Sequence, residues 1–105
     1  MLTESQLEKM RKIFSDYPAV IKTWVFGSYA RNEEAPESDI DILVELDYSQ
    51  RIGMKFYGLW ADLEEATGKS VDLIPEDCLK DFARESANRD KILIYDREQY
   101  VKQDN

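Results

Sequence analysis

The sequence predicts an α/β fold of the α+β type, in which helices pack on one small mixed β-sheet. Apolar residues recur at helical spacing in several segments, and short runs rich in β-branched residues lie between them. The resulting order of helix, strand, strand, helix, strand and helix is typical of one sheet covered by helices. The length of 105 residues predicts a single domain, 1–105, with a core over 20–95 and a polar tail, 97–105, whose composition does not favour order.

The first predicted elements are a helix and a strand. Thr3 and Gln6 have the spacing of a capping box, and the helix that follows them is expected to run to about Tyr17. Val20–Phe26 is rich in β-branched and aromatic residues, which favour a strand.

A turn and a loop connect this strand to the strongest strand of the sequence. Gly27 marks the turn, residues 28–31 are expected to form one helical turn, and the polar residues 32–38 predict a surface loop. The next strand is predicted over residues 39–46, where side chains alternate between two faces. One face is apolar, with Ile40, Ile42, Val44 and Leu46, and the other carries Asp39, Asp41, Leu43 and Glu45.

The second half of the chain predicts two further helices and short strands. The inner face of the first of these helices is formed by Phe56, Leu59, Trp60, Leu63 and Thr67. Gly68 stands where a left-handed C-terminal cap is expected. Residues 70–74 predict a strand that Pro75 ends, and residues 92–95 are a last apolar run. Between them we expect a third helix whose inward side chains are Leu79, Phe82 and Ala83.

Charge and composition exclude several classes of function. The formal charge of −8 opposes direct binding of nucleic acid, which relies on Lys and Arg at the phosphates. The chain has no His, so His-ligated zinc and His-based triads are excluded, and its only cysteine, Cys78, is expected to be a small buried residue. We expect a cytoplasmic protein without a membrane partner, because no apolar run could span a bilayer and no secretory signal is present.

Two acidic residues of the predicted strand are candidate metal ligands. Asp39 and Asp41 are two residues apart, about 6.6 Å along a strand, and point to the same side. Their charges repel each other unless a cation offsets them, and oxygen ligands favour Mg²⁺ or Mn²⁺ over zinc. Asp72, on a neighbouring predicted strand, can complete a two-metal site with ions about 3.5–4 Å apart. The alternative for these acids is an ordinary solvated face.

Gly27 and Ser28 form a candidate phosphate-binding turn. Glycine lets the backbone approach a bound group closely, and amides at the start of a helix donate hydrogen bonds to an anion. A nucleoside triphosphate would then place its terminal phosphates on this turn, although a Gly-Ser pair is also common in turns without a ligand. Arg31 either neutralises phosphate or pairs with an acid of the segment 33–39.

Other conspicuous residues are expected to have structural roles. Trp60 and Phe56 are assigned to the core because large aromatic side chains are mostly buried. Glu64 and Glu65 are assigned to solvent.

Three segments together resemble the signature of the DNA polymerase β-like nucleotidyltransferase superfamily. They are Gly27-Ser28-Tyr29-Ala30-Arg31, Ser38-Asp39-Ile40-Asp41-Ile42-Leu43-Val44 and Val71-Asp72-Leu73-Ile74. The resemblance is to the minimal single-domain branch, the MNT proteins that pair with HEPN toxins, and it covers about residues 20 to 95. One departure is Asn32, where this branch commonly has glycine, but asparagine also tolerates a left-handed backbone.

The resemblance implies a fold, a reaction and a partner. The fold would be that of the superfamily, Asp39 and Asp41 would bind two Mg²⁺ ions, and Asp72 would complete the site and help to deprotonate the acceptor hydroxyl. Gly27 and Ser28 would hold the triphosphate of ATP. AMP would pass to a tyrosine of a HEPN toxin, for which the chain would act as antitoxin.

Two other functions stay open at this point. The first is nucleotidyl transfer to a small-molecule hydroxyl, such as that of an aminoglycoside, which the short segment after Asp72 disfavours because larger relatives bind the acceptor with an added helical domain. The second is a non-catalytic antitoxin that blocks its partner by contact alone.

Overall fold

The computed structural model describes residues 2–79 and 81–100, apart from the side chain of Phe82. The expected inward position of that side chain, and residues 101–105 of the predicted tail, lie outside the described part. The helices are α1 Glu4–Ser15, α2 Gly27–Ala30, α3 Lys55–Thr67 and α4 Asp81–Asp90, with a short 3-10 helix at Glu76–Cys78. The strands are β1 Val20–Phe26, β2 Ile40–Leu46, β3 Val71–Pro75 and β4 Ile92–Asp96. Within these described residues, no helix combines the length and the apolar character needed to cross a bilayer.

The strands form one mixed sheet. Their spatial order is β3-β2-β1-β4. β1 is antiparallel to both of its neighbours, whereas β2 and β3 run parallel and are joined by α3, as a parallel connection requires a crossover. The predicted α+β fold with a small mixed sheet is therefore confirmed.

Helix α1 begins at the predicted capping box. The Thr3 hydroxyl accepts a hydrogen bond from the backbone N–H of Gln6 at 3.0 Å, and the Gln6 side chain accepts one from the N–H of Thr3 at 2.9 Å. The helix ends at Ser15, earlier than the predicted Tyr17. The reason is that the N–H groups of Asp16 and Tyr17 bond to carbonyls three residues back, which tightens and closes the last turn.

Helices cover both faces of the sheet. On one face α1 and α3 enclose the main core, which includes Met10, Phe14, Ile40, Ile42, Val44, Leu59 and Leu63. On the other face α4 covers a smaller cluster of Leu43, Leu79 and Ala87, against which Trp24, Phe26, Ile74 and Ala83 pack. The face of β2 that carries the acids is thus apolar in its middle, with Leu43 only 1% exposed. Asp41 lies at the end of this buried face.

Two strands differ by one residue from their predicted bounds. β2 begins at Ile40 and not at Asp39, because the N–H of Ile40 makes the ladder bond to the Ser70 carbonyl at 2.9 Å. β3 spans Val71–Pro75 instead of 70–74. It is an edge strand, where a proline without an N–H group is tolerated.

The segments around α4 differ from the expectations in two further ways. Cys78 is exposed, so the expectation of a buried thiol is wrong, and the apolar anchor of this segment is Leu79, which is 8% exposed. Within the predicted polar tail, residues 97–99 form a turn. The ring of Tyr100 packs on that of Tyr95, with 5.6 Å between the ring centroids.

Two glycines in and after α3 should respond in opposite directions to replacement by alanine. Gly68 caps the helix with a φ of +67°, so Gly68→Ala should lower the free energy of unfolding by about 1 kcal/mol. Gly58 lies inside the helix, where a Cβ would meet only the Tyr17 hydroxyl oxygen at 3.4 Å, so Gly58→Ala should raise it by about 0.5 kcal/mol. Urea unfolding measures both values, and a stabilising Gly68→Ala would contradict the assigned cap.

Candidate active site

The candidate site lies where three strands meet at one end of the sheet. β1 ends there, and β2 and β3 begin there. The register aligns Phe26 of β1 with Asp41 of β2, and Asp41 with Asp72 of β3. Because register partners share a face of the sheet, Asp41 and Asp72 lie side by side. The Gly27 turn follows directly after Phe26, so the turn and the two acids are neighbours.

The backbone of Gly27 contacts the Asp41 carboxylate. Gly27 has a φ of +70°, and a Cβ built on it would collide with Oδ2 of Asp41. Glycine is therefore required at this position for two reasons: the positive φ and the close approach of the Asp41 carboxylate. The predicted helical turn is present as α2 and begins one residue early, closed by a bond from the N–H of Arg31 to the Gly27 carbonyl at 3.1 Å. The predicted phosphate turn and a predicted metal ligand are thus in contact.

The surroundings of Asp41 raise the proton affinity of its carboxylate. Burial raises its pKa, and the negative charges of Asp72 and then Asp39 raise it further, to about 6, while the charge of Arg31 acts in the opposite direction. The three predicted acids are therefore close enough to interact. A cation beside Asp41 would favour its ionised form and offset the repulsion.

The donor set of the site fits a magnesium ion in part. Asp39 and Asp72 are exposed, and Asp41 is half-buried. Within residues 2–79 and 81–100, no group of three or more Asp, Glu and Cys side chains is arranged to hold a metal ion by itself. Mg²⁺ usually binds one or two carboxylates together with substrate phosphates, and not a cage made only of protein ligands. The carboxylates of this site repel one another and lie beside the candidate phosphate-binding turn. This arrangement fits a Mg²⁺ ion that is bound jointly by carboxylates and substrate phosphates.

Arg31 connects the site to α4. Its Nε donates a hydrogen bond to the Glu33 carboxylate at 2.7 Å, and its Nη1 donates one to Asp90 at 3.2 Å. The predicted pairing of Arg31 with an acid of the following loop is confirmed, and Asp90 is a second partner. Among the described residues Nη2 has no hydrogen-bond partner, so the guanidinium keeps donors for an anion.

The loop between α2 and β2 is held by its own contacts. Asn32 has a φ of +60°, which confirms that asparagine takes the left-handed conformation here. The Ser38 hydroxyl accepts a hydrogen bond from the N–H of Ala35 at 2.8 Å. These features fix the path of the chain up to Asp39.

Three residues near the site have partners that the sequence does not predict. Trp60 packs against the core as expected, but its ring nitrogen also bonds to Val71, the neighbour of Asp72. The assignment of Glu64 to solvent is wrong, because it is partly buried and bonds to the same residue. Asp90 has no assignment from the sequence. These contacts depend on where α3 and α4 pack on the sheet, and no local motif encodes that packing.

Replacing Gly27 by alanine should cost more than backbone strain alone. Gly53 also has a positive φ, +49°, but nothing lies within 4 Å of a Cβ built there, so Gly53→Ala is the matched control. We expect Gly53→Ala to lower the free energy of unfolding by about 1 kcal/mol and Gly27→Ala to lower it by about 2 to 4 kcal/mol. Equal losses in urea unfolding would contradict the contact with Asp41.

In the absence of metal, Asp41→Asn should stabilise the protein at high pH only. The pKa of Asp41 is about 6 in the folded protein against an ordinary value of 3.8, so the folded protein holds the proton more tightly. The resulting stabilisation of the wild type is complete below pH 3.8 and is lost as the pH rises through about 6.

Asparagine carries no charge and avoids that loss. With a chelator present, the variant should gain about 1 to 2 kcal/mol in unfolding free energy at about pH 8 and almost nothing at about pH 4. An equal gain at both pH values would show that the charge of Asp41 is not the cause.

Known proteins resemble this chain over most of its length. The family described as Polymerase beta, Nucleotidyltransferase matches residues 8–100. A protein of Methanocaldococcus jannaschii, named Putative protein adenylyltransferase MJ0128, is 38% identical over 89 residues, which are 84% of this chain and 90% of the relative. Protein adenylyltransferase MntA of Thermococcus cleftensis is 32% identical over 98 residues, which are 90% of this chain and 98% of the relative.

Solved structures share the fold. A toxin-antitoxin crystal structure with AMP-PNP has a TM-score of 0.72 at 23% identity, covering 89% of this chain and 75% of that chain. The tri-AMPylated Shewanella oneidensis HEPN toxin in complex with MNT antitoxin gives a TM-score of 0.65 at 22% identity, covering 90% and 72%. The predicted nucleotidyltransferase fold is thereby confirmed. With the family match over residues 8–100 and relatives of this similarity, the chain belongs to the polymerase beta nucleotidyltransferase family and is a nucleotidyltransferase.

Proposed function

We propose that this chain transfers AMP from ATP to a tyrosine hydroxyl of a HEPN toxin and so acts as the antitoxin. The observation that carries the proposal is the contact of the Gly27 backbone with the Asp41 carboxylate, which joins a phosphate-binding turn to the acids. Two relatives bear the name of protein adenylyltransferases, and a structure with the same fold is an MNT antitoxin bound to an AMPylated HEPN toxin. We place the reaction in the cytoplasm.

The transfer exchanges one bond at phosphorus for another. The tyrosine oxygen attacks the α-phosphorus of ATP, and the bond from this phosphorus to the oxygen that bridges the α- and β-phosphates breaks. Pyrophosphate leaves with the bonding electron pair, and AMP becomes a phosphodiester of the tyrosine. The hydroxyl proton passes to Asp72 and then to solvent, a role that suits an exposed carboxylate.

The residues of the turn bind and orient the triphosphate. The amides after Gly27 and the hydroxyl of Ser28 donate hydrogen bonds to phosphate oxygens, and Arg31 adds donors from the side of α4. When bound, Mg²⁺, which we propose as two ions, offsets the negative charge of the phosphates and the acids. The residues that would hold it are Asp39, Asp41 and Asp72.

We propose that a partner protein presents the acceptor hydroxyl to this site. The described residues form one sheet with its covering helices. The relatives named as protein adenylyltransferases favour a protein acceptor over a small-molecule hydroxyl such as that of an aminoglycoside. The net charge of −8 is suited to a partner with a basic surface around its tyrosine.

ATP labelled at the α-phosphate tests the transfer directly. With Mg²⁺ and a purified HEPN toxin, the wild-type chain should label the toxin, and mass spectrometry should place AMP on a tyrosine. Asp39→Asn/Asp41→Asn should reduce the labelling rate at least about 10²-fold, because the variant lacks the carboxylates that would hold Mg²⁺ beside the reacting phosphate. Glu65→Gln is the matched control, since Glu65 is an exposed acid of α3 and should label at the wild-type rate.

Three other results would contradict the proposal in different ways. Unchanged labelling by the double variant would show that Asp39 and Asp41 take no part in the reaction. Labelling of small hydroxyl compounds by the chain alone would replace the protein acceptor with a small one. Neutralisation of the toxin by the double variant without ATP would indicate a non-catalytic antitoxin.

A further inference from the structure

Two side chains of α3 hold the residue before Asp72 by both of its main-chain polar groups. Nε1 of Trp60 donates a hydrogen bond to the Val71 carbonyl at 2.6 Å, and Oε2 of Glu64 accepts one from the N–H of Val71 at 2.9 Å. Trp60 and Glu64 are four positions apart in α3, so they lie on the same side of the helix. These two hydrogen bonds are termed the Val71 clamp below.

The Val71 clamp occupies the open edge of the sheet. β3 has β2 on one side and is the last strand on the other. The carbonyl of Ser70 bonds to the N–H of Ile40 in β2 at 2.9 Å. Since main-chain groups of successive residues in a strand point to opposite sides, those of Val71 point away from β2. The side chains of Trp60 and Glu64 therefore pair the main-chain groups that a further strand would otherwise pair.

The clamp acts at the position where β3 carries its acid. Asp72 follows Val71, is exposed and is the register partner of Asp41. The like charges of these two carboxylates repel each other and so act to separate the start of β3 from β2. The end of a short edge strand opens more readily than the centre of a sheet. Because Val71 is held at both its N–H and its carbonyl, the displacement of the adjacent Asp72 is limited.

We propose that Trp60 and Glu64 are positioning residues that fix Asp72 for the transfer of the nucleotide. This inference rests on the proposed function, in which Asp72 takes part in the reaction. The clamp lies on β3, whereas the turn that binds the triphosphate follows β1, and β2 separates the two. Loss of the clamp should therefore slow the chemical step much more than it weakens the binding of ATP.

Toxin labelling with α-labelled ATP separates these two effects. Trp60→Phe removes the N–H donor and Glu64→Ala removes the acceptor, so each should lower kcat about tenfold while the KM for ATP changes less than about twofold. Glu64→Gln keeps an oxygen that accepts the bond from Val71 and should retain nearly the wild-type kcat. Glu65→Ala, at an exposed glutamate of the same helix, is the matched control and should behave as wild type.

Amide hydrogen exchange of the free protein gives a second readout that needs neither ATP nor toxin. Exchange of the Val71 and Asp72 amides should become faster in Glu64→Ala and in Trp60→Phe. It should stay near the wild-type rate in Glu64→Gln and in Glu65→Ala. Thermal unfolding of each variant ensures that the kinetics are compared well below its midpoint.

Several outcomes would overturn the inference. An unchanged kcat in Glu64→Ala, together with faster exchange at Val71, would show a clamp that only supports the strand, and the proposed function would stand. A rise in KM that matches the fall in kcat would show general damage to the site. A wild-type chain that labels no toxin would remove the proposed function and the positioning role with it, while the exchange data would still report whether the clamp exists.

Discussion

The contact between the Gly27 backbone and the Asp41 carboxylate is the constraint on which the rest of the site depends. β1 and β2 are antiparallel neighbours, so the end of one meets the start of the other, and their register places Phe26 opposite Asp41. The chain can turn at this point only without a side chain, since a Cβ on Gly27 would collide with Oδ2 of Asp41. A turn suited to phosphate and an acid suited to metal thereby become one site.

In the free protein this arrangement disfavours the ionised form of Asp41. Asp41 is half-buried beside two other acids, and its pKa of about 6 reflects the loss of solvation and the repulsion. Natural proteins often keep such unfavourable charge at functional sites and offset it when the ligand binds. In the proposed function, a magnesium nucleotide would supply cations for the acids and an anion for the turn and Arg31. The same repulsion acts at the start of β3, where Trp60 and Glu64 of α3 form hydrogen bonds with Val71.

Local patterns in the sequence are sufficient to predict much of the fold and to select the residues that the structure brings together in the candidate site. The capping box at Thr3, the strand Val20–Phe26 and the cap at Gly68 depend on neighbouring residues, and all three are present. The burial of Leu43 and the bond of Glu64 to Val71 depend on which helix packs on which face. The alternation of residues along one strand or helix does not determine which other element packs on a given face. A face with polar residues is therefore assigned to solvent from the sequence even where a helix covers it in the structure.

Paramagnetic Mn²⁺ in place of Mg²⁺ tests the central claim most directly. In the presence of a non-hydrolysable ATP analogue, the ion should broaden the amide resonances of Gly27, Ser28, Asp41 and Asp72 together, because broadening falls steeply with distance from the metal. The Asp39→Asn/Asp41→Asn variant should lose this pattern. Broadening of acidic residues elsewhere on the surface, with the turn unaffected, would contradict a single site for metal and nucleotide.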